Sequence, residues 1–194
     1  EKNMSTAIEI ESKVLLNKDE FEKVIDALHG DKYKRIKQTN HYIDSDSQVL
    51  RRLGCALRIR EKDDFVLTLK TPLSEGLLEK SQTITWREYE NFAENEVFPE
   101  GDIKNFLELL GIKVSELRIL TSLSTIRIEI PYNEGLLSLD ENTYSGIVDY
   151  ELEMEHTSIQ NAQESLEEVC KLAKVPYVIN TNSKQARAMN ALKK

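Results

Sequence analysis

Apolar and charged residues alternate with a period of two along most of this chain, and that alternation limits its fold more than any other feature. In a β-strand, successive side chains point to opposite faces. Glu9, Glu11 and Lys13 therefore share one face, while Ile8, Ile10 and Val14 share the other. The same separation sets Arg58 and Arg60 against Leu57 and Ile59, Thr68 and Lys70 against Leu67 and Leu69, and Arg127 and Glu129 against Ile126, Ile128 and Ile130. It ends with Asp149, Glu151, Glu153 and Glu155 set against Val148, Tyr150, Leu152 and Met154. The pattern predicts strands at Ala7 to Leu15 and over 38–44, 56–61, 65–71, 77–86, 121–131, 136–141 and 147–157. Lys62-Asp63-Asp64 and Asn133-Glu134-Gly135 suit tight turns that close antiparallel hairpins.

Helical spacing interrupts the strands. Asn17 followed by Glu20 suits a capping box ahead of the stripe Phe21, Val24, Ile25 and Leu28, with Gly30 to end the helix. Further helices are expected over 102–110 and 159–173, and a short one from Ser183. The fold class is α+β with one large antiparallel sheet. Residues 4–194 are expected to form a single domain, and Glu1-Lys2-Asn3, which precede Met4, are set aside on the expectation that they are a non-native remnant.

Any one of these strands reads as an ordinary sheet with one wet face. Together they segregate charge by sign: one strand is all carboxylate and another carries paired arginines. Like charges at alternate positions repel, and a divalent cation or facing Lys and Arg residues relieves the repulsion. Carboxylates suit a hard cation such as Mg²⁺ or Mn²⁺, and Arg and Lys suit phosphate oxygens. A metal-bound polyphosphate needs both kinds of group. The apolar faces then pack outward against helices, and the polar side of the sheet turns inward.

Composition narrows the choice further. The net charge of -8 argues against a general binder of nucleic acid or of membrane surfaces, so an anionic ligand must meet a local basic cluster. Cys55 and Cys170 have no metal-ligand or disulfide-framework spacing, and His29, His41 and His156 fit no metal-ligand pattern. No run approaches the roughly 20 apolar residues needed to cross a bilayer, and the N-terminus lacks the order of a signal peptide. A cytoplasmic location is expected. Trp86 falls on the same alternating face as Ile84 and reads as packing.

Glu9-Ile10-Glu11-Ser12-Lys13 resembles the ExExK signature that opens proteins of the CYTH, or triphosphate tunnel metalloenzyme, family. Tyr42-Ile43-Asp44 is similar to that family's aromatic-x-Asp segment, Leu57-Arg58-Ile59-Arg60 to its LRxR strand and Leu67-Thr68-Leu69-Lys70 to its LTxK strand. Arg127, Asp140 and Glu151-Leu152-Glu153 follow in the family's order, and Ser183-Lys184 with Arg187 resembles its C-terminal basic helix. One departure is Leu78-Glu79-Lys80, where relatives often carry an Arg; Glu79 keeps the acidic character.

The resemblance implies a closed eight-stranded antiparallel β-barrel with a charged interior and helices packed outside. It implies metal ligation by Glu9, Glu11, Asp140, Glu151 and Glu153, with Glu151 and Glu153 favoured over Glu155 in a register open by one step. Lys13, Arg58, Arg60, Lys70, Arg127, Lys184 and Arg187 would hold substrate, and Glu9, Glu11, Lys13 and Glu153 would carry catalysis. The implied activity is hydrolysis of inorganic tripolyphosphate, a nucleoside triphosphate or thiamine triphosphate with Mg²⁺ or Mn²⁺. The alternatives are a class IV-type adenylyl cyclase and a non-catalytic polyphosphate- or nucleotide-binding module. The partners expected are the small-molecule triphosphate and, at most, a second copy of the chain in a homodimer, with no nucleic acid and no membrane.

Overall fold

The computed structural model describes residues 4–192. Its strands are β1 (Met4–Glu9), β2 (Glu11–Leu16), β3 (Arg35–Asp44), β4 (Ala56–Glu61), β5 (Phe65–Pro72), β6 (Leu77–Ile84), β7 (Arg118–Tyr132), β8 (Gly135–Tyr144) and β9 (Ile147–Glu155). Its helices are α1 (Lys18–Ala27), α2 (Val49–Arg52), α3 (Trp86–Asn95), α4 (Asp102–Leu109), α5 (Ile159–Ala173) and α6 (Lys184–Ala191). No helix among the described residues is long and apolar enough to cross a membrane.

The strands hydrogen-bond in the order β1-β6-β5-β4-β3-β7-β8-β9-β2. The closed eight-stranded barrel expected from the sequence is therefore corrected to an open sheet of nine strands. The stretch read as one strand from Ala7 to Leu15 divides at Ile10, and its two halves lie at opposite ends of the order. Side-chain alternation is local and runs through Ile10 undisturbed. Which neighbour each backbone N–H finds leaves no mark in it.

The chain forms two compact units. Among the described residues, the first holds Met4–Ile8 and Thr39–Leu123, and the second holds Glu9–Gln38 and Ser124–Leu192. In the first, Ile43, Leu57, Ile59, Leu67 and Leu69 pack against Phe92 of α3 and Ile103 and Leu107 of α4. The sequence reading ran β6 on to residue 86, but the strand stops at Ile84. Thr85 accepts from the backbone of Glu88, whose side chain accepts in return from the backbone of Thr85, and this capping box starts α3. Trp86 consequently opens a helix at 56% exposure and is not packed, contrary to expectation.

In the second unit, Phe21, Val24 and Ile25 of α1 and Ala162, Leu166 and Val169 of α5 cover Val14, Ile128, Leu139, Leu152 and Met154. Each large aliphatic side chain buried in this way contributes about 1.5–3 kcal/mol. Asn17 caps α1 by accepting from the N–H of Glu20 at 2.8 Å. The helix ends at Ala27, before the expected Gly30, which opens a short 3₁₀ turn instead.

The β7–β8 hairpin turns on Asn133 and Glu134, both left-handed at φ +47° and +63°, which suits the right-handed twist of the flanking strands. Gly135 follows. A Cβ there would lie 2.5 Å from the carbonyl oxygen of Glu155 and 2.6 Å from Cε of Met154. Because a backbone oxygen has no room to yield, Gly135→Ala is expected to cost about 1–3 kcal/mol. A urea melt checks this: an unchanged midpoint would mean that the hairpin tolerates a wider gap from β9.

Candidate active site

The second unit places a dense charge cluster on the polar face of β7, β8, β9 and β2. Antiparallel register sets Arg127, Asp140 and Glu151 side by side across β7, β8 and β9, and sets Lys13 of β2 opposite Glu153 of β9. Arg127 clasps Asp140 in a bidentate pair, with both N–H···O distances 2.7 Å, and donates to Glu153 at 3.1 Å. Lys13 lies 2.9 Å from Glu11 and 3.8 Å from Glu153. Glu155, the next residue on the same face of β9, is exposed, so Glu151 and Glu153 are the carboxylates that converge.

Helix α6 completes the cluster. Ser183 caps it, and the preceding segment is tied to β2 by the N–H of Asn180 donating to the carbonyl of Lys13 at 2.8 Å. The Lys184 ammonium sits among Asp140, at 2.8 Å, Glu151 and Glu153. Arg187 donates to Asp149 at 2.9 Å and to Glu151 at 2.8 Å, and the Tyr144 hydroxyl donates to Asp149 at 2.7 Å. Asp140 and Glu151 are fully buried, and Lys184 and Arg187 are each 8% exposed.

This burial makes the electrostatics strong. Burial, with the Glu153 charge adding to it, pushes Glu151 up to about 7 against the opposing pull of Lys184. Burial acts on Glu153 in the same direction, but Lys184, Lys13 and Arg127 outweigh it and hold that carboxyl well below its usual range. Burial disfavours the Lys184 ammonium, yet Glu153, Asp140 and Glu151 more than compensate and raise its pKa. Burial and the bond to Asp149 push the Tyr144 hydroxyl up to about 12. Five carboxylates (Glu11, Asp140, Asp149, Glu151, Glu153) thus face four cations (Lys13, Arg127, Lys184, Arg187).

The first unit carries a more basic polar face. Tyr42, Arg58, Thr68 and Ser81 lie in one row across β3–β6, Asn40 lies opposite Arg60, and Lys70 lies opposite Glu79 at 3.9 Å. Thr68 and Ser81 share a hydrogen bond of 2.9 Å. The Asp44 carboxylate accepts from the backbone N–H groups of Ser45, Leu50 and Arg51, so it anchors the start of α2.

With the geometry in view, comparison with known proteins is decisive. The CYTH domain profile matches residues 7–188. The chain belongs to the CYTH domain family. It is 37% identical over 174 residues to "Putative triphosphatase YjbK" of Bacillus subtilis, covering 89% of this chain and 90% of that one. A crystal structure of a "putative adenylate cyclase" from Bacillus halodurans superposes with a TM-score of 0.85 at 40% identity, covering 94% of this chain and 97% of that one. "Putative adenylyl cyclase HpAC1" of Hippeastrum, described as revealing a dominant triphosphatase activity, gives 0.74 at 25% identity over 94% and 95% of the two chains.

CYTH proteins are metal-dependent as a family, and the donor set here fits a hard cation. Asp140, Glu151 and Glu153 each offer a carboxylate oxygen, and the three lie within 4.8 Å of one another. Of the other two expected ligands, Glu11 pairs with Lys13, and Glu9 closes β1 just ahead of the break at Ile10. Arg58, Arg60 and Lys70 belong to the first unit. Sequence reasoning placed Asp149 on the acidic face without giving it a role, and it omitted Asn180, whose amide donates to Glu151 at 3.3 Å. The asparagine carried no signal, because it comes from an irregular segment.

Proposed function

We propose that this CYTH protein is a divalent-metal-dependent triphosphatase. The observation that carries the reading is the polar face of the second unit, where three convergent carboxylates are interleaved with Lys13, Arg127 and Lys184. Carboxylates alone would bind a cation, and basic residues alone an anion. Their interleaving suits a metal and a polyphosphate together.

A Mg²⁺ or Mn²⁺ ion held by Asp140, Glu151 and Glu153 would supply positive charge to phosphoryl oxygens. The chain's own residues do the rest. Lys13 and Arg127 offer N–H donors whose charge grows in value as negative charge gathers on the transferring phosphoryl group. Their pairing with Glu11 and Asp140 fixes those donors before substrate arrives, so little reorganisation is needed. Water adds to the terminal phosphorus and gives up a proton to solvent, the bridging P–O bond breaks, and the electron pair leaves with the diphosphate.

The likeness to a cyclase-named structure brings in a second reading, in which a ribose hydroxyl attacks the α-phosphate and pyrophosphate leaves. A cyclase must also hold adenine. The tyrosines on these polar faces, Tyr42 and Tyr144, are buried, and Tyr144 is committed to Asp149, so neither offers an open stacking surface. This ranks hydrolysis first.

The test measures phosphate, pyrophosphate and cyclic AMP released from tripolyphosphate, ATP and thiamine triphosphate, each with Mg²⁺, Mn²⁺ or chelator. Metal-dependent phosphate release is expected, with a loss of about 100-fold or more in Glu11→Gln. Cyclic AMP with pyrophosphate from ATP would establish the cyclase instead. Tight binding without any product would leave a binding module.

A further inference from the structure

Asn40 is 1% exposed on β3, and its side-chain Nδ2 is buried without a hydrogen-bond partner. Its orientation is fixed, because Oδ1 accepts from Nε of Arg60 at 3.0 Å. The NH₂ must therefore lie on the other prong of the amide, away from Arg60. Nε of Arg58 is likewise buried and unpartnered. Arg58 pairs with Tyr42 and Arg60 with Asn40, so Asn40 and Arg58 are diagonal neighbours on one face of the β3–β4 pair. Such neighbours lie about 7–8 Å apart, within reach of one ligand group for long side chains.

Buried donors are almost always paired, since a donor stripped of water and left unmatched forfeits its full solvation. Two orphaned donors on one face, beside a third side chain already committed to orienting one of them, form an arrangement that an acceptor completes. We propose that Asn40 binds a phosphoryl group on this face of the first unit, its carboxamide N–H donating to the same group that Nε of Arg58 reaches, while its oxygen holds Arg60 in place. This rests on the polyphosphate reading above and adds a neutral donor to it. A neutral amide contributes direction without drawing in counter-ions, so it favours an acceptor of fixed geometry over anions in general.

The test is calorimetric titration of tripolyphosphate in chelator, where nothing turns over, using Asn40→Asp and Asn40→Leu. Asn40→Asp keeps an oxygen that can orient Arg60 but replaces the donor with a buried negative charge; Asn40→Leu removes both donor and acceptor at similar volume and adds no charge. Both are expected to weaken binding at least tenfold, and Asn40→Leu carries the comparison because salt screens a buried carboxylate at position 40 only weakly. Their melting temperatures are read alongside, so that loss of the fold is told apart from loss of binding. Parent-like affinity in Asn40→Asp at high salt would reduce Asn40 to a positioning residue for Arg60 and overturn the proposal. Parent-like affinity in Asn40→Leu would overturn it too. A parent protein that binds no tripolyphosphate either in chelator or with Mg²⁺ would overturn the functional reading along with it, so the two failures are told apart by the parent titration.

Discussion

Glu153→Gln is expected to reduce triphosphate turnover by about 100-fold or more and to lower stability by about 3 kcal/mol, whereas Glu155→Gln does neither. The two residues share a face of β9, one register step apart, but their surroundings differ. Glu153 takes Lys184, Arg127 and Lys13 as partners in a largely buried setting, and Glu155 is exposed. Removing one partner from a buried ion network takes a counter-charge away from every group that shared it, and that penalty exceeds the value of a single pair. Three cations would then face a neutral amide. An exposed carboxylate is screened by water, so its loss falls within about 0.5 kcal/mol. Chemical denaturation and initial-rate kinetics on the two variants check this. Equal losses in both, or parent-like rates in Glu153→Gln, would place the working carboxylates elsewhere on the strand.

Much of this arrangement was legible because strand alternation sorts side chains before any tertiary contact forms. Arg127, Asp140 and Glu151 come from three strands, and only antiparallel register lines them up. Their shared face could still be read from the apolar residues between them. The break at Ile10 could not, since it changes a pairing partner and no side-chain pattern. Helix α3 was present in the sequence as Thr85 and Glu88, but the alternation running through Ile84 to Trp86 hid it, and the cap prevailed because it satisfies two otherwise orphaned N–H groups. The orphaned donors of Asn40 and Arg58 are properties of three-dimensional packing, and no linear pattern records them.

Lys184→Met is expected to bind Mn²⁺ at least tenfold more tightly than the parent in the absence of any phosphate compound. The Lys184 ammonium lies against the same three carboxylates that form the candidate metal group, so the parent already holds a cation where a divalent ion would go. Metal entry must pay for moving that ammonium away from Asp140, Glu151 and Glu153. Methionine keeps the length of the side chain and removes the competing charge, leaving carboxylates that repel one another until a cation arrives. The variant should therefore be less stable than the parent without metal and gain more from it. Binding at 100 times the dissociation constant adds about 2.7 kcal/mol, which a thermal melt resolves. Lys184→Arg, which keeps the charge, should show no such gain. Electron paramagnetic resonance of free Mn²⁺ gives the affinities directly: equal values in the parent and Lys184→Met would mean that the ion binds without displacing Lys184. A gain confined to Lys184→Met would make α6 the element whose lysine a polyphosphate must draw off before the carboxylates are free for metal, coupling the two ligands by the same factor in either order of binding.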